Sequence, residues 1–136
     1  MVEPAKAGRN LRFAVMGAGM AGILSAIRLR ESGYGDVVVY EKADRPGGTW
    51  RENTYPGLTC DVPSHAYTYS FAPNPDWSRH LPPGPEIYNY FETVARRFGL
   101  MEAIRFNQEV SSCAFENGRW RIETKGGIVD HADVII

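Results

Sequence analysis

The sequence has few of the features that mark several common protein classes. Its only cysteines, Cys60 and Cys113, lie far apart and form no Cys-x-x-Cys pair, so we expect neither a disulfide framework nor a cysteine zinc site. No two of its three histidines have the helical spacing of metal ligands, and we predict no metal site. The formal net charge of −1 makes nucleic acid an improbable partner.

Long apolar runs are also missing. Eighteen consecutive apolar residues occur nowhere, and the polar first ten residues lack the apolar core of a signal peptide. With both cysteines expected to be reduced, this pattern predicts a cytoplasmic protein. A chain of 136 residues, 43% of them apolar, can build one ordinary domain but not two. We therefore expect a flexible tail over residues 1–10 and one domain over residues 11–136.

The most informative feature that is present is a glycine motif between two apolar runs. The apolar run 11–16 predicts a strand, and residues 20–32, which end before Gly33, have the apolar spacing of a helix. A second predicted strand covers 36–41. The motif between the first strand and the helix reads Gly17-Ala18-Gly19-Met20-Ala21-Gly22. This order of strand, glycines, helix, strand and acid is typical of a dinucleotide-binding βαβ unit.

Each part of this motif has a physical role. Gly17 permits a tight turn, Gly19 lets backbone N–H groups approach a pyrophosphate, and Gly22 lets the helix pack closely on the strand. The diphosphate is then held by the N-terminus of the helix. Glu41, at the end of the second strand, is placed to accept hydrogen bonds from an adenosine ribose. Its carboxylate repels a 2′-phosphate, so we expect FAD or NAD rather than NADP at this site.

Residues 42–85 show no regular periodicity, and eight of the nine prolines lie between Pro46 and Pro85. A stretch of this length inside a domain is either disordered or a functional loop. Its aromatic residues are too many for disorder. They are Trp50, Tyr55, Tyr67, Tyr69, Phe71 and Trp77. We predict a rigid wall folded over a ligand.

The remaining chain predicts a helix, a small antiparallel meander and a closing strand. The helix begins at Pro85 and Glu86, ends at Gly99, and carries an apolar stripe of Ile87, Phe91, Val94 and Phe98. Strands 110–115 and 119–124 flank an Asn-Gly hairpin turn, and Gly126-Gly127 offers a second turn. The apolar run 132–136 predicts a buried parallel strand. The predicted fold is therefore α/β and Rossmann-like, with a parallel sheet, a long loop rich in proline and aromatics, and a β-meander.

A second glycine pair, Gly47-Gly48, follows Glu41 and precedes Thr49 and Trp50. The run 41–50 resembles the flavoprotein pattern in which such a pair lets the chain pass close to FAD. The run 55–78, which begins Tyr-Pro-Gly-Leu-Thr-Cys-Asp, closely resembles the class B flavin monooxygenases, above all the Baeyer–Villiger monooxygenases. The resemblance continues through 85–87, 94–99, 106–110 and Trp120, and so spans residues 11–136.

This resemblance implies an FAD site and an enzymatic role for the complete protein. The residues implied to bind FAD are Gly17, Gly19, Met20, Ala21, Gly22, Glu41, Lys42, Gly48, Thr49, Trp50, Asp61, Tyr67 and Val110. Asp61 is similar to the family's aspartate that orients an arginine beside the flavin and helps to position NADPH, which makes it the one catalytic candidate. The family uses NADPH and O₂ to oxidise ketones to esters or lactones.

Simpler roles compete for several of these residues. A loop aspartate such as Asp61 commonly caps backbone N–H groups, and Trp50 and Tyr67 can serve as plain aromatic packing. Cys60 has no evident histidine partner, so we expect a buried, inert thiol rather than a nucleophile. His65 is a candidate for facing the site. The pattern places His80 and His131 on the surface, and Arg96 and Arg97 on a solvated helix face.

The alternatives to the Baeyer–Villiger reading remain open at this point. An N- or S-oxygenating flavin monooxygenase shares the glycine motifs, although the Cys60-Asp61 loop favours the Baeyer–Villiger branch. A stand-alone FAD-binding module and an NAD-dependent dehydrogenase domain are the others, the last disfavoured by Gly47-Gly48. The family also implies a second nucleotide-binding domain, an active-site arginine and a Phe-x-Gly-x-x-x-His fingerprint, none of which is in these 136 residues. We therefore expect a fragment without catalysis of its own.

Overall fold

The computed structural model describes residues 10–136. The predicted flexible tail, residues 1–10, lies outside the described residues except for Asn10. In the described part the chain forms strands β1 Phe13–Met16, β2 Val37–Tyr40, β3 Ile104–Arg105, β4 Val110–Glu116, β5 Arg119–Thr124, β6 Val129–Ala132 and β7 Val134–Ile135. The helices are α1 Met20–Glu31, the single-turn α2 Thr49–Glu52, and α3 Gly84–Arg97.

The predicted βαβ unit is confirmed. β1 and β2 pair in parallel, with Phe13 opposite Val37 and Met16 opposite Tyr40, and α1 connects them. Gly33, which follows α1, has φ +89°, a left-handed conformation that a glycine adopts without steric cost. The strands and helix therefore begin and end within two residues of the predicted bounds.

The parallel sheet has the strand order β3-β2-β1-β7. The two-residue strand β3 was not predicted, because a run of two residues carries no periodic signal. The prediction for 132–136 is correct in direction, but it begins too early and its burial is wrong. Ala132 belongs to β6, Val134 and Ile135 pair with β1, and the side chains of β7 are half-buried. Ile136 continues the pairing, because its N–H donates to the Ala14 carbonyl and its carbonyl accepts from the Met16 N–H. β7 lies at the edge of this sheet, so a neighbouring strand of the sheet, β1, lies on one side of it only.

Alternate residues of β1 and β2 point to opposite faces, and each face has its own apolar layer. Phe13 and Val15, with Val37 and Val39, pack against α1 and α3. Ala14, Val38 and Tyr40 pack against the meander through Ile122 and Ala132. The four-residue strands are buried on both faces, as their unbroken apolar sequences predict.

The predicted meander is present as a three-stranded antiparallel sheet of order β4-β5-β6. Asn117 and Gly118 have φ of 51° and 81°, so both central residues of the first turn adopt the left-handed conformation that an Asn-Gly hairpin uses. β4 is longer than predicted by one residue, and β5 has the predicted bounds.

The aromatic loop packs against the helices, and its predicted role as a wall over a ligand stays a prediction. Tyr69 is buried and its ring lies 5.3 Å from that of Phe91 on α3. The Tyr69 hydroxyl donates to the carbonyl of Met20, and its backbone N–H donates to the Tyr90 hydroxyl at 2.8 Å. The loop is therefore attached to both helices, and α2 is its single helical turn.

Candidate functional site

A cleft opens where β1 and β2 end and α1 begins. Its outer part has a volume of about 450 Å³ and its inner part about 260 Å³, and Met16, Gly17, Gly19, Gly48 and Thr49 line both. The outer part also contains Glu41, Lys42 and Val110, and the inner part also contains Met20, Ala21, Gly22, Trp50 and Tyr67. The structure thus brings every predicted FAD-binding residue except Asp61 into one cleft.

The glycine motif forms the floor of this cleft. Gly17 turns out of β1 with φ +94°, and a Cβ on Gly22 would lie 1.9 Å from the carbonyl oxygen of Gly17. Only glycine therefore lets α1 begin so close to the strand. Within the described residues no side chain caps the N-terminus of α1, so its first N–H groups face the cleft without an intrahelical acceptor. This end suits a diphosphate.

The second glycine pair packs directly on the first motif. The Gly47 N–H donates to the Ala18 carbonyl at 2.9 Å, and a Cβ on Gly48 would lie 3.0 Å from the Cα of Gly19. The two backbones are close enough that Gly48 admits no larger residue without displacement. The pair therefore continues the cradle formed by Gly17 and Gly19.

Glu41 is 3% exposed and its carboxylate is held by three donors. The Ala18 N–H donates to Oε2 at 2.7 Å, and the Ala43 N–H and Arg51 Nη1 donate to Oε1 at 2.9 and 3.0 Å. This position at the end of β2 is the one predicted for a ribose-binding acid. The sequence motif did not predict the arginine.

Arg51 connects Glu41 to a second charged group at the rim. Its Nη2 donates to Glu52 Oε1 at 2.7 Å, and the same oxygen is 2.9 Å from Lys42 Nζ. The hydrogen bond to Glu52 raises the pKa of Lys42, and the hydrogen bonds from Lys42 and Arg51 lower the pKa of Glu52. The positive charges of Lys42 and Arg51 are thereby balanced by the negative charges of Glu41 and Glu52 around the outer cleft.

Trp50 and Tyr67 form the inner end of the cleft. The indole N–H of Trp50 donates to the Tyr67 hydroxyl at 3.1 Å, and the two rings meet edge to face with centroids 5.8 Å apart. Tyr67 in turn contacts Phe91 in the core. The pair therefore packs against the core and also lines the cleft, and its role in binding FAD stays a prediction.

The structure does not bring Asp61 into the cleft. Its side chain is exposed and takes part in none of the hydrogen bonds found among residues 10–136, so its catalytic role stays a prediction. Cys60 is buried, as expected, and Cys113 is exposed; both are free thiols. His65 is exposed outside the cleft lining, and His80 and His131 are exposed as predicted.

Another cavity, of about 500 Å³, lies between the loop after α2 and the start of α3. Of the predicted FAD-binding residues, Trp50 alone also lines this cavity. Among residues 10–136, no group of three or more histidine, cysteine or acidic side chains is placed to hold a metal ion. No helix in the same range has the length and apolarity to cross a membrane.

Sequence reasoning missed several residues of the outer cleft. They are Met16, Tyr40, Arg51, Glu52, Asn53, Gln108 and Glu109. Arg51 directly follows the residues that carried the prediction, so its position was a usable signal. Gln108 and Glu109 reach the cleft from far along the chain because the Gln108 N–H donates to the Glu41 carbonyl at 2.9 Å, a contact that no local pattern encodes.

Comparison with known proteins agrees with this geometry. Residues 15–81 match the family of NAD(P)-binding Rossmann-like domains. Over 138 aligned residues the chain is 47% identical to a Baeyer–Villiger monooxygenase of Streptomyces coelicolor, and the alignment covers 100% of this chain and 26% of that protein. The chain is a homologue of Baeyer–Villiger monooxygenases. It spans about a quarter of the length of such relatives.

Solved structures of these monooxygenases share the fold. A cyclohexanone-bound structure of cyclohexanone monooxygenase superposes with a TM-score of 0.84 at 35% identity, covering 92% of this chain and 26% of that one. The structure of OTEMO in complex with FAD and NADP superposes with a TM-score of 0.86 at 28% identity, covering 92% and 24%. The Rossmann-like fold with its antiparallel meander is therefore that of the homologous enzymes.

Proposed function

We propose that this domain binds the ADP half of FAD in the outer cleft and directs the flavin toward Trp50 and Tyr67. The observation that carries the proposal is the position of Glu41, a buried carboxylate in the wall of a cleft whose floor is the uncapped N-terminus of α1. The helix terminus suits a diphosphate and the carboxylate suits a ribose hydroxyl.

The chain's own residues divide the work of binding. Gly17, Gly19 and Gly48 allow the backbone to approach the diphosphate, Val110 and Gln108 bound the adenosine end, and the Trp50–Tyr67 pair bounds the inner end. Bound FAD would supply the redox chemistry, accepting hydride from NADPH and reacting with O₂. The family relation and the FAD- and NADP-bound structure of a homologue support this cofactor pair.

For the whole protein we propose oxygenation of ketones to esters or lactones, in the cytoplasm. The homologous Baeyer–Villiger monooxygenases and the cyclohexanone-bound structure support a ketone substrate. The described residues would contribute the FAD-binding domain, with Asp61 as the candidate for orienting an arginine beside the flavin. The homologues' structures with cyclohexanone, FAD and NADP support small-molecule ligands, so we expect no nucleic-acid partner.

The test is titration of the 136-residue chain with FAD, followed by absorbance after desalting, with Gly19→Ala and Glu41→Gln alongside. A Cβ on Gly19 would lie 3.5 Å from Gly48 Cα and 3.9 Å from its N, both ordinary contacts, so this variant is expected to fold. We expect ADP to compete with FAD, and each variant to bind at least about tenfold more weakly. Equal FAD binding by the wild type and both variants, or tighter binding of NADP than of FAD, would overturn the proposal.

A further inference from the structure

Arg51 is the buried cation of the cleft. Its side chain is 7% exposed and pairs with that of Glu41, which is 4% exposed. Since a buried charge without a partner is costly, each group makes the burial of the other possible. The guanidinium also donates to the Arg45 carbonyl at 2.7 Å and to Glu52, so its plane is held at three points.

Hydrogen-bond donors of the described residues fill all but one of the acceptor positions on the Glu41 carboxylate. A carboxylate has about four acceptor positions, two on each oxygen. Arg51 and the Ala43 N–H fill those of Oε1, and the Ala18 N–H takes one on Oε2. No donor among residues 10–136 takes the second position on Oε2, and Glu41 lies in the wall of the cleft.

The local fold of residues 41–51 brings Arg51 back to Glu41. The ion pair joins residues ten apart and closes a loop that contains Gly47 and Gly48, the pair that packs against Gly19. The single turn of α2, which begins directly after Gly48, carries Arg51 back to the end of β2. Lys42 cannot replace it, because Lys42 is largely exposed and is paired with Glu52.

We propose that Arg51 is a positioning residue for nucleotide recognition, which orients Glu41 so that its remaining Oε2 acceptor meets a ribose hydroxyl of the ligand. This inference rests on the proposed function of the cleft as an ADP site. Arg51 acts through Glu41 and occupies Oε1, which directs the hydroxyl to the other oxygen. The ligand chemistry that depends on Arg51 is therefore the ribose hydroxyl and not the diphosphate.

The experiment compares ADP with 2′,3′-dideoxy-ADP by calorimetric titration of the full 136-residue chain. A hydrogen bond to a charged group predicts that the wild type prefers ADP by about tenfold. We expect the preference to fall below about twofold in Arg51→Met, and to be about threefold in Arg51→Lys, since an ammonium can pair with Glu41 but lacks the planar fork. Arg96→Met, which removes an exposed arginine of α3, is the matched control and keeps the wild-type preference.

The outcomes separate the two claims. If Arg51→Met weakens both nucleotides by the same factor, so that the preference survives, Arg51 has only a structural role and the inference is overturned while the ADP site stands. If the wild type binds neither nucleotide, the ADP site itself is wrong and the inference falls with it. If the wild type binds both equally, the ADP site stands but no ribose hydroxyl is recognised, and the inference is overturned. Thermal unfolding of each variant accompanies the titrations. Should Arg51→Met fail to fold, Arg51→Lys decides, and a preference equal to that of the wild type would overturn the inference.

Discussion

Gly19 and Gly48 approach each other so closely that a Cβ on Gly48 would lie 3.0 Å from the Cα of Gly19. The two residues are 29 positions apart and belong to the two separate glycine motifs. Their contact joins the turn after β1 to the turn before α2, and the cleft lies along the line where these two turns meet. The second glycine pair is thus a structural partner of the first, and one continuous backbone surface faces the cleft.

This contact predicts that Gly48→Ala loses FAD binding. The residue has φ +52° and ψ −126°, a conformation that costs a non-glycine residue about 1–3 kcal/mol, and its new Cβ would push against backbone. Gly57→Ala is the control, since Gly57 has φ +80° with nothing near its Cβ position and lies outside the cleft. Urea unfolding and FAD titration should show both variants destabilised and only Gly48→Ala defective in binding. Retained binding by Gly48→Ala would contradict the role of the contact.

The start of α1 predicts a different response at Gly22. A Cβ there would lie 1.9 Å from the Gly17 carbonyl oxygen, which is backbone and cannot rotate away. We expect Gly22→Ala to lower the free energy of unfolding by about 1–3 kcal/mol or more, as overpacking does. Gly19→Ala, whose Cβ makes an ordinary contact, should change it by less than about 0.5 kcal/mol. Chemical denaturation of the two variants side by side measures the difference, and equal stabilities would contradict the geometry.

The first hairpin of the meander predicts that a glycine substitution lowers stability through backbone conformation alone, with no steric contact. Gly118 has φ +81° and open space around its Cβ position, so Gly118→Ala should cost about 1–2 kcal/mol through the left-handed conformation alone. Gly35 has equally open space but no positive φ, so Gly35→Ala is the matched control and should be nearly neutral. Thermal unfolding of both variants provides the comparison. If Gly118→Ala is as stable as Gly35→Ala, the turn does not have this conformation in solution.

A polar cluster between the two sheets predicts acid sensitivity. Asp130 accepts hydrogen bonds from Arg12 Nη2 at 2.6 Å and from the Tyr40 hydroxyl at 2.5 Å. Burial opposes ionisation of Asp130, but these hydrogen bonds outweigh it and lower its pKa to about 2. Because the pKa in the folded state lies below the unfolded value, this stabilisation is complete above about pH 4 and is lost as the pH falls toward 2.

Asp130→Asn tests this dependence. We expect the substitution to cost about 1–2 kcal/mol near neutral pH, after allowance for solvent screening of a partly exposed group, and progressively less below pH 4. Asp76→Asn, at an exposed loop position, is the control. Urea unfolding from pH 2 to 7 measures the difference between each variant and the wild type. A difference for Asp130→Asn that stays constant across this range would show that the carboxylate is not responsible.

The sequence was sufficient for the local elements and for much of the site. Strands β1 and β2, helix α1 and the Asn117-Gly118 hairpin follow from apolar spacing and turn chemistry, which act between near neighbours. The position of Glu41 and the glycines in one cleft was predictable, because a dinucleotide site uses such residues at fixed spacing. The two-residue strand β3 was not, since its hydrogen bonds to β2 join residues more than sixty positions apart.

Tertiary structure decided how these pieces meet. The sequence alone determined a βαβ unit with an acidic residue at the end of its second strand, a long aromatic loop and a meander. Only the folded chain placed Gly48 against Gly19, paired Arg51 with Glu41, and left Asp61 exposed outside the cleft. The reason is physical: a residue's periodicity and conformational preference are local, whereas backbone approach and the pairing of buried charges depend on which distant segments packing brings together.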